Sequence, residues 1–181
     1  MPRMRDEDLL RQIQDEQWLA ELLARFDFDL RRAENGPVEA VRLADGGALE
    51  MIAGDASGGA FLLAGAPADN RPVVYAGSEG EGGLIAADLR TALALVVGLP
   101  SLHDATSMPY GDGAALREWL AFADDEIRED WPELDDDRAR LRDALGLPEA
   151  AGLLAGLHAA AADERYLPVS DRGDVYEPLT S

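Results

Sequence analysis

The amino-acid sequence predicts an α+β fold: an N-terminal helix, a four-stranded antiparallel meander sheet with a flanking helix, then a C-terminal helical region. Three observations carry this. Apolar residues recur at helical spacing over residues 6–26, 89–97 and 114–131. Between the first two stretches the pattern changes to short extended runs separated by turn residues. The 181 residues are 47% hydrophobic and 29% charged, ordinary for a folded chain. A chain of this length buries roughly 70% of its unfolded surface.

Leu9, Ile13, Trp18, Leu22, Leu23 and Phe26 place one helix over residues 6–26, with Asp6 as its N-cap. Asn35, Gly36 and Pro37 end it. Val41 and Leu43 flank Arg42, Leu49 and Met51 flank Glu50, and Asp45, Gly46 and Gly47 lie between. That pattern predicts a hairpin. The runs at 60–64 and 72–76 supply two more strands, joined by a loop carrying Pro67, Asp69 and Asn70. Pro72 should start its strand, since proline lacks the N–H a sheet interior needs. A glycine-rich loop follows at 77–83, with a short extended piece at 84–86.

Leu89, Leu93, Val96 and Val97 form a helical stripe, with Gly98 at the C′ position and Pro100 forbidding continuation. Residues 101–112 read as a linker. Leu116, Trp119, Leu120, Ala123, Ile127 and Trp131 then make a buried stripe on a helix over 114–131. Two more helices are expected at 134–145 and 148–162, divided by Gly146 and Pro148. The organisation read from this is an α+β domain over 1–105, a helical extension over 106–162 packed on it, and a weak hairpin or loose tail over 163–181.

Acidic residues number 36 against 16 basic ones, a net charge of −20. That field repels a phosphate backbone and an anionic membrane surface, so neither nucleic acid nor membrane is an expected partner. It favours encounter with a basic protein. All the basic residues are Arg, so lysine Schiff-base and P-loop chemistry are excluded. There is no Cys, which excludes disulfides and thiolate ligands and fits a reducing cytoplasm. Residues 1–8 lack the apolar core of a signal peptide, and no run approaches 18 apolar residues. A cytoplasmic location is therefore expected.

Catalytic signatures are missing. The glycine loop fits neither G-x-G-x-x-G nor a Walker A motif, and Glu79 and Glu81 would repel a phosphate. His103 and His158 are too far apart in sequence for a zinc motif, and no G-x-S-x-G elbow accompanies them. Asp55, Glu79 and Glu81 would converge if the two glycine-rich loops share one end of the sheet. Ten carboxylates lie between Glu118 and Asp137, Asp125, Glu126, Glu129 and Asp130 among them. Such like charges at i,i+4 destabilise a helix slightly. A docking face for a basic partner gives that cost a purpose. These seven acidic residues are the candidate partner-binding set.

The central segment is the most specific feature. It runs from a strand into a G-D-x-x-G-G turn (Gly54, Asp55, Gly58, Gly59) and an apolar strand. An R-P-V-x-Y strand follows (Arg71, Pro72, Val73, Tyr75), then an S-E-G loop (Ser78, Glu79, Gly80) and an apolar helix ending G-L-P (Gly98, Leu99, Pro100). Residues 38–103 thus resemble actinobacterial members of the SUKH superfamily. The resemblance implies an antiparallel sheet flanked by helices, no cofactor, and for many members an immunity role: binding a cognate toxin, often a nuclease. The acidic-proline motif that better-known members carry early in the sheet region is not found in this chain.

The leading expectation is therefore a non-enzymatic, cytoplasmic protein that occludes the basic surface of a toxin, with no cofactor and no metal. The alternative is a small-molecule-binding regulatory or scaffolding domain on the same fold. A pocket of roughly 300 Å³ or more beside Tyr75 and Phe61 favours the alternative; a flat surface there favours the protein partner. An enzyme would need a carboxylate pair buried in a cleft.

Overall fold

The computed structural model describes residues 4–67 and 70–180. Its first departure from the sequence reading is at the N-terminus, where one expected helix is two: α1, Asp6–Asp15, and α2, Gln17–Arg25. At about 100° per residue, one straight helix would turn Leu19, Leu22 and Leu23 about 100° away from Leu9 and Ile13. The break at Glu16 (φ −104°, ψ 100°) re-aims the second segment, and all of these apolar side chains are buried. Trp18, off both stripes, is 38% exposed. Asp6 is not the N-cap, which is Arg5. Its buried carboxylate instead accepts from the backbone N–H groups of Arg71 and Leu89, each at 3.1 Å.

The α+β class holds, and the four-stranded antiparallel meander is present with one change of membership. Strand β1, Val41–Leu43, does not pair with its neighbour in sequence. Gly46 N–H and Leu43 N–H close the expected turn on Leu43 O and Gly47 O. Pairing stops there. The meander consists of β2 (Leu49–Gly54), β3 (Ala60–Ala64), β4 (Val73–Ala76) and β5 (Glu81–Ala86) in that order. The glycine-rich loop shrinks accordingly to a tight turn over residues 77–80, with Gly80 at φ +88°. Gly82 lies inside β5, where a Cβ would press on Tyr75 O at 2.5 Å and on Pro168. Asp69, before β4, lies outside the described residues.

Helix α3, Leu89–Gly98, is capped by Asp88, which accepts from Thr91 N–H at 2.8 Å. It is buried almost throughout. Gly98 is its last residue rather than a C′ glycine, and its lack of a side chain admits Ala150, which a Cβ would overlap. The expected linker holds a short helix, α4, Leu102–Thr106. Helices α5 (Ala114–Asp130) and α6 (Leu134–Leu145) follow, and Gly146 terminates α6 in the left-handed region at φ +63°. The last expected helix is a 3-10 turn, Ala150–Leu153, leading into α7, Leu154–Ala161.

The tail is part of the fold. Strand β6, Pro168–Ser170, takes β1 as its antiparallel partner, and a tight turn over 170–174 makes the expected hairpin contact between Val169 and Val175. Strand β7, Glu177–Pro178, adds to the main sheet in parallel beside β5. This explains why every residue of β3 is buried. Side chains alternate between faces along a strand. Phe61 and Leu63 meet the helices, whereas Ala60, Leu62 and Ala64 meet Leu43 with Tyr166 and Tyr176 flanking. The helical face is one continuous core: Leu116, Leu141 and Leu157 belong to the same cluster as Ile85 and Leu93.

On α5, Leu116, Leu120 and Ala123 are buried as expected. Trp119 is 38% exposed and stacks on Phe122, which is 54% exposed. At about 100° per residue Trp119 falls about 80° from the centre of the buried stripe, so it sits on the flank. Among the described residues no single helix is long and apolar enough to cross a membrane.

Candidate functional site

A meander returns its first and third turns to the same end of the sheet. The 54–59 and 77–80 turns therefore lie side by side, and a Cβ on Gly58 would stand 3.3 Å from Ser78 Cβ. Asp55, Glu79 and Glu81 converge there as the sequence expected. They line a cleft of about 900 Å³ that opens between this end of the sheet and the helices. Phe61 and Tyr75 form its floor on the sheet side. Ile127, Trp131 and Leu134 form the opposite wall, with Leu99, Leu102 and His103 between.

Asp55 organises the sheet side. Its Oδ1 accepts from Ser57 N–H (3.0 Å), Ser57 Oγ (2.6 Å) and Gly59 N–H (2.9 Å), a carboxylate-anchored turn. Its Oδ2 accepts from the Tyr75 hydroxyl at 2.6 Å. Gly59 must be glycine because a Cβ would overlap the Tyr75 hydroxyl, and at Gly77 a Cβ would overlap the Glu81 carboxylate. Burial raises the Tyr75 phenol well above its ordinary value of 10.0, and the bond to Asp55 and that carboxylate's charge raise it further. Tyr75 is therefore a held donor at neutral pH.

A phenol whose folded pKa is raised contributes stability that is fully present below pH 10 and is lost as pH climbs towards the folded value. Urea denaturation at pH 8 and pH 11 should show a loss in the native protein that is smaller in Tyr75→Phe. An equal loss in both would mean that Tyr75 ionises no less readily folded than unfolded.

The helical wall is held by arginines that the sequence reading did not single out. Arg138 is 5% exposed; Nε donates to Val97 O at 2.7 Å and Nη2 to Asp124 Oδ1 at 2.8 Å. The Arg25 guanidinium lies 4.1 Å over the Trp131 ring, whose other neighbour is Phe26 at 4.6 Å. Trp131 Nε1 donates to Asp137 at 2.9 Å. Asp27, at φ +61°, adds a further carboxylate to the cleft. These residues come from elements scattered over the chain, and no local spacing signals them. The arginines of this wall face carboxylates of their own, Asp124 and Asp137. Asp27, Asp55, Glu79 and Glu81 face no arginine within ion-pair distance among the described residues, so the cleft is acidic.

The other four candidates lie elsewhere. Asp125, Glu126, Glu129 and Asp130 are on α5 and line no part of the cleft. Asp125 is held by Arg128 at 2.8 Å. Arg128 also binds Asp135, whose carboxyl it draws below the usual range. The candidate set is thus two sites, not one. Among the described residues no cluster of His, Asp and Glu is placed to hold a metal ion. Comparison of the chain with known protein families, with curated proteins and with solved structures found no match.

Proposed function

We propose that this chain is a non-enzymatic binding protein and that its principal site is the acidic cleft, which takes a small molecule. One observation carries the reading: a cavity of about 900 Å³ lies against Tyr75 and Phe61. Its size is in the range of about 300–1,000 Å³ typical of ligand sites, and it combines apolar walls with a few fixed polar groups. The polar groups are pre-set, because Asp55 accepts from both the Tyr75 hydroxyl and the Gly59 N–H. Two of the hydroxyls that line the cleft are engaged locally. Ser57 Oγ donates to Asp55 and Ser101 Oγ to Asp104 within their own turns, and His158 Nε2 bonds Ala105 O.

The test is a protein-observed NMR screen of a small-molecule library. Bound compounds should shift the Trp131 indole and Tyr75 ring signals, and Ile127→Trp, which narrows the cleft, should reduce those shifts. A library whose hits all bind the Ile127→Trp chain undiminished would overturn the reading.

A second reading, an immunity-type protein that neutralises a basic toxin domain, rests on the SUKH resemblance and on the carboxylates of α5. Co-expression with a toxin encoded beside it should restore growth and give a complex on gel filtration. Loss of both outcomes would remove the immunity role.

A further inference from the structure

We propose that α5 carries a docking site, separate from the cleft, for an arginine-bearing segment of a partner protein, centred on the stacked pair Trp119–Phe122. The inference deepens the partner-binding reading and rests on it.

Two large, partly exposed rings on one helix face are the first observation. Trp119 and Phe122 are 38% and 54% exposed, and their rings stack with centroids 5.9 Å apart at 24°. The stacked pair presents a continuous aromatic ledge, whereas scattered single apolar residues would need no explanation. Trp is also among the residue types most enriched where binding energy concentrates in interfaces.

Charge identifies the occupant. At about 100° per residue, Glu118, Glu126, Glu129 and Asp130 all project within about 70° of the midpoint of the two rings. All four are exposed, and among the described residues none lies in an ion pair. The cations of α5 are on the opposite flank: Arg117 donates to the Tyr110 hydroxyl, and Arg128 is held by Asp125 and Asp135. Rings flanked by Glu118 and Glu126, with Glu129 and Asp130 about two turns further along the same face, suit a short arginine-bearing segment, whose guanidinium stacks on an indole face and donates in pairs to carboxylates. An apolar partner would bury those carboxylates unpaired, at a large desolvation cost. A second copy of this chain, with its own net charge of −20, is repelled. Ile127, at the cleft, lies on the other side of the same helix, so both sites can be occupied together.

The probe is an arginine octapeptide, titrated at low salt by isothermal calorimetry for every variant, with the Trp119 indole N–H signal followed by NMR in the native chain. We expect that signal to shift on binding. The double variant Trp119→Ala, Phe122→Ala should stay folded by circular dichroism with a lowered melting temperature, because Trp119 is only 38% exposed, and should bind about fivefold more weakly. Glu126→Gln with Glu129→Gln should weaken binding and flatten its salt dependence. The cleft-narrowing Ile127→Trp should leave it unchanged. Undiminished binding by the aromatic double variant, or a native titration that leaves the Trp119 signal in place, overturns the ledge while the partner reading survives on other acidic surface. A peptide that fails to bind at low salt overturns both.

Discussion

Asp6→Ala should lower the unfolding free energy by about 3 kcal/mol, since hydrogen bonds to a charged group are each worth about 1.5–3 kcal/mol and two buried donors lose their acceptor. The Asp6 carboxylate is 4% exposed and accepts from the N–H groups of Arg71 and Leu89 through one oxygen. Leu89 is the first residue of α3, so Asp6 places a negative charge at the N-terminus of the core helix, where the helix dipole favours it. Arg71, on the other side, reaches Glu50 at 2.6 Å and the Gly65 carbonyl at 2.6 Å. One carboxylate thus ties α1, the approach to β4 and α3 together. Asp6→Asn keeps the acceptor but loses the charge, and should recover about half of the loss. Urea denaturation followed by circular dichroism measures both. An Asp6→Ala loss under about 1 kcal/mol would mean that water replaces the carboxylate and that the clamp is not structural.

Removing Arg138 should be at least as severe. Its guanidinium links the last turn of α3, through Val97 O, to Asp124 on α5. The side chains of the pair are 6% and 16% exposed. Breaking a buried ion pair by deleting one partner costs about 3–5 kcal/mol, because the other charge is left in a poorly solvated site. Arg138→Met is therefore expected to lose about that much. Adding Asp124→Leu should restore most of it, since the orphaned charge is then gone. The double-mutant cycle separates the pair from the packing of the stem. If Arg138→Met costs the same in the native background as in the Asp124→Leu background, the ion pair is not what holds this corner. Because Arg138 also lines the cleft, both outcomes bear on the rigidity of its wall.

Both residues show where a linear reading stops. Asp6, at the start of an amphipathic helix, has the position of an N-cap, and nothing nearby in sequence indicates that residues 71 and 89 need its charge. Arg138, inside a run of arginines and aspartates, looks like part of a solvated face. Trp119 misled in the opposite direction: it falls on the margin of an apolar stripe, and the packing leaves it 38% exposed. The turn at 45–47 formed as its residues demand, yet a turn does not choose a strand's partner beyond its first bond. Residues 168–170 won β1 because pairing there closes the second face of the sheet over Leu62 and Val74.

By itself the sequence determined what depends on near neighbours in the chain. Period and breakers placed the two helices at α3 and α5, and the glycine and aspartate spacing of 54–59 set the turn in which Asp55 anchors Ser57 and Gly59. Alternation in a meander brought Asp55, Glu79 and Glu81 to one end. Tertiary structure alone decided the tail's place in both sheets, the split of the first helix, the second wall of the cleft and the exposure of the Trp119 ledge. Those features depend on which apolar faces remain uncovered once the local elements exist. That is a property of the whole packing, because burial is set by every neighbour at once and not by the residues adjacent in the chain.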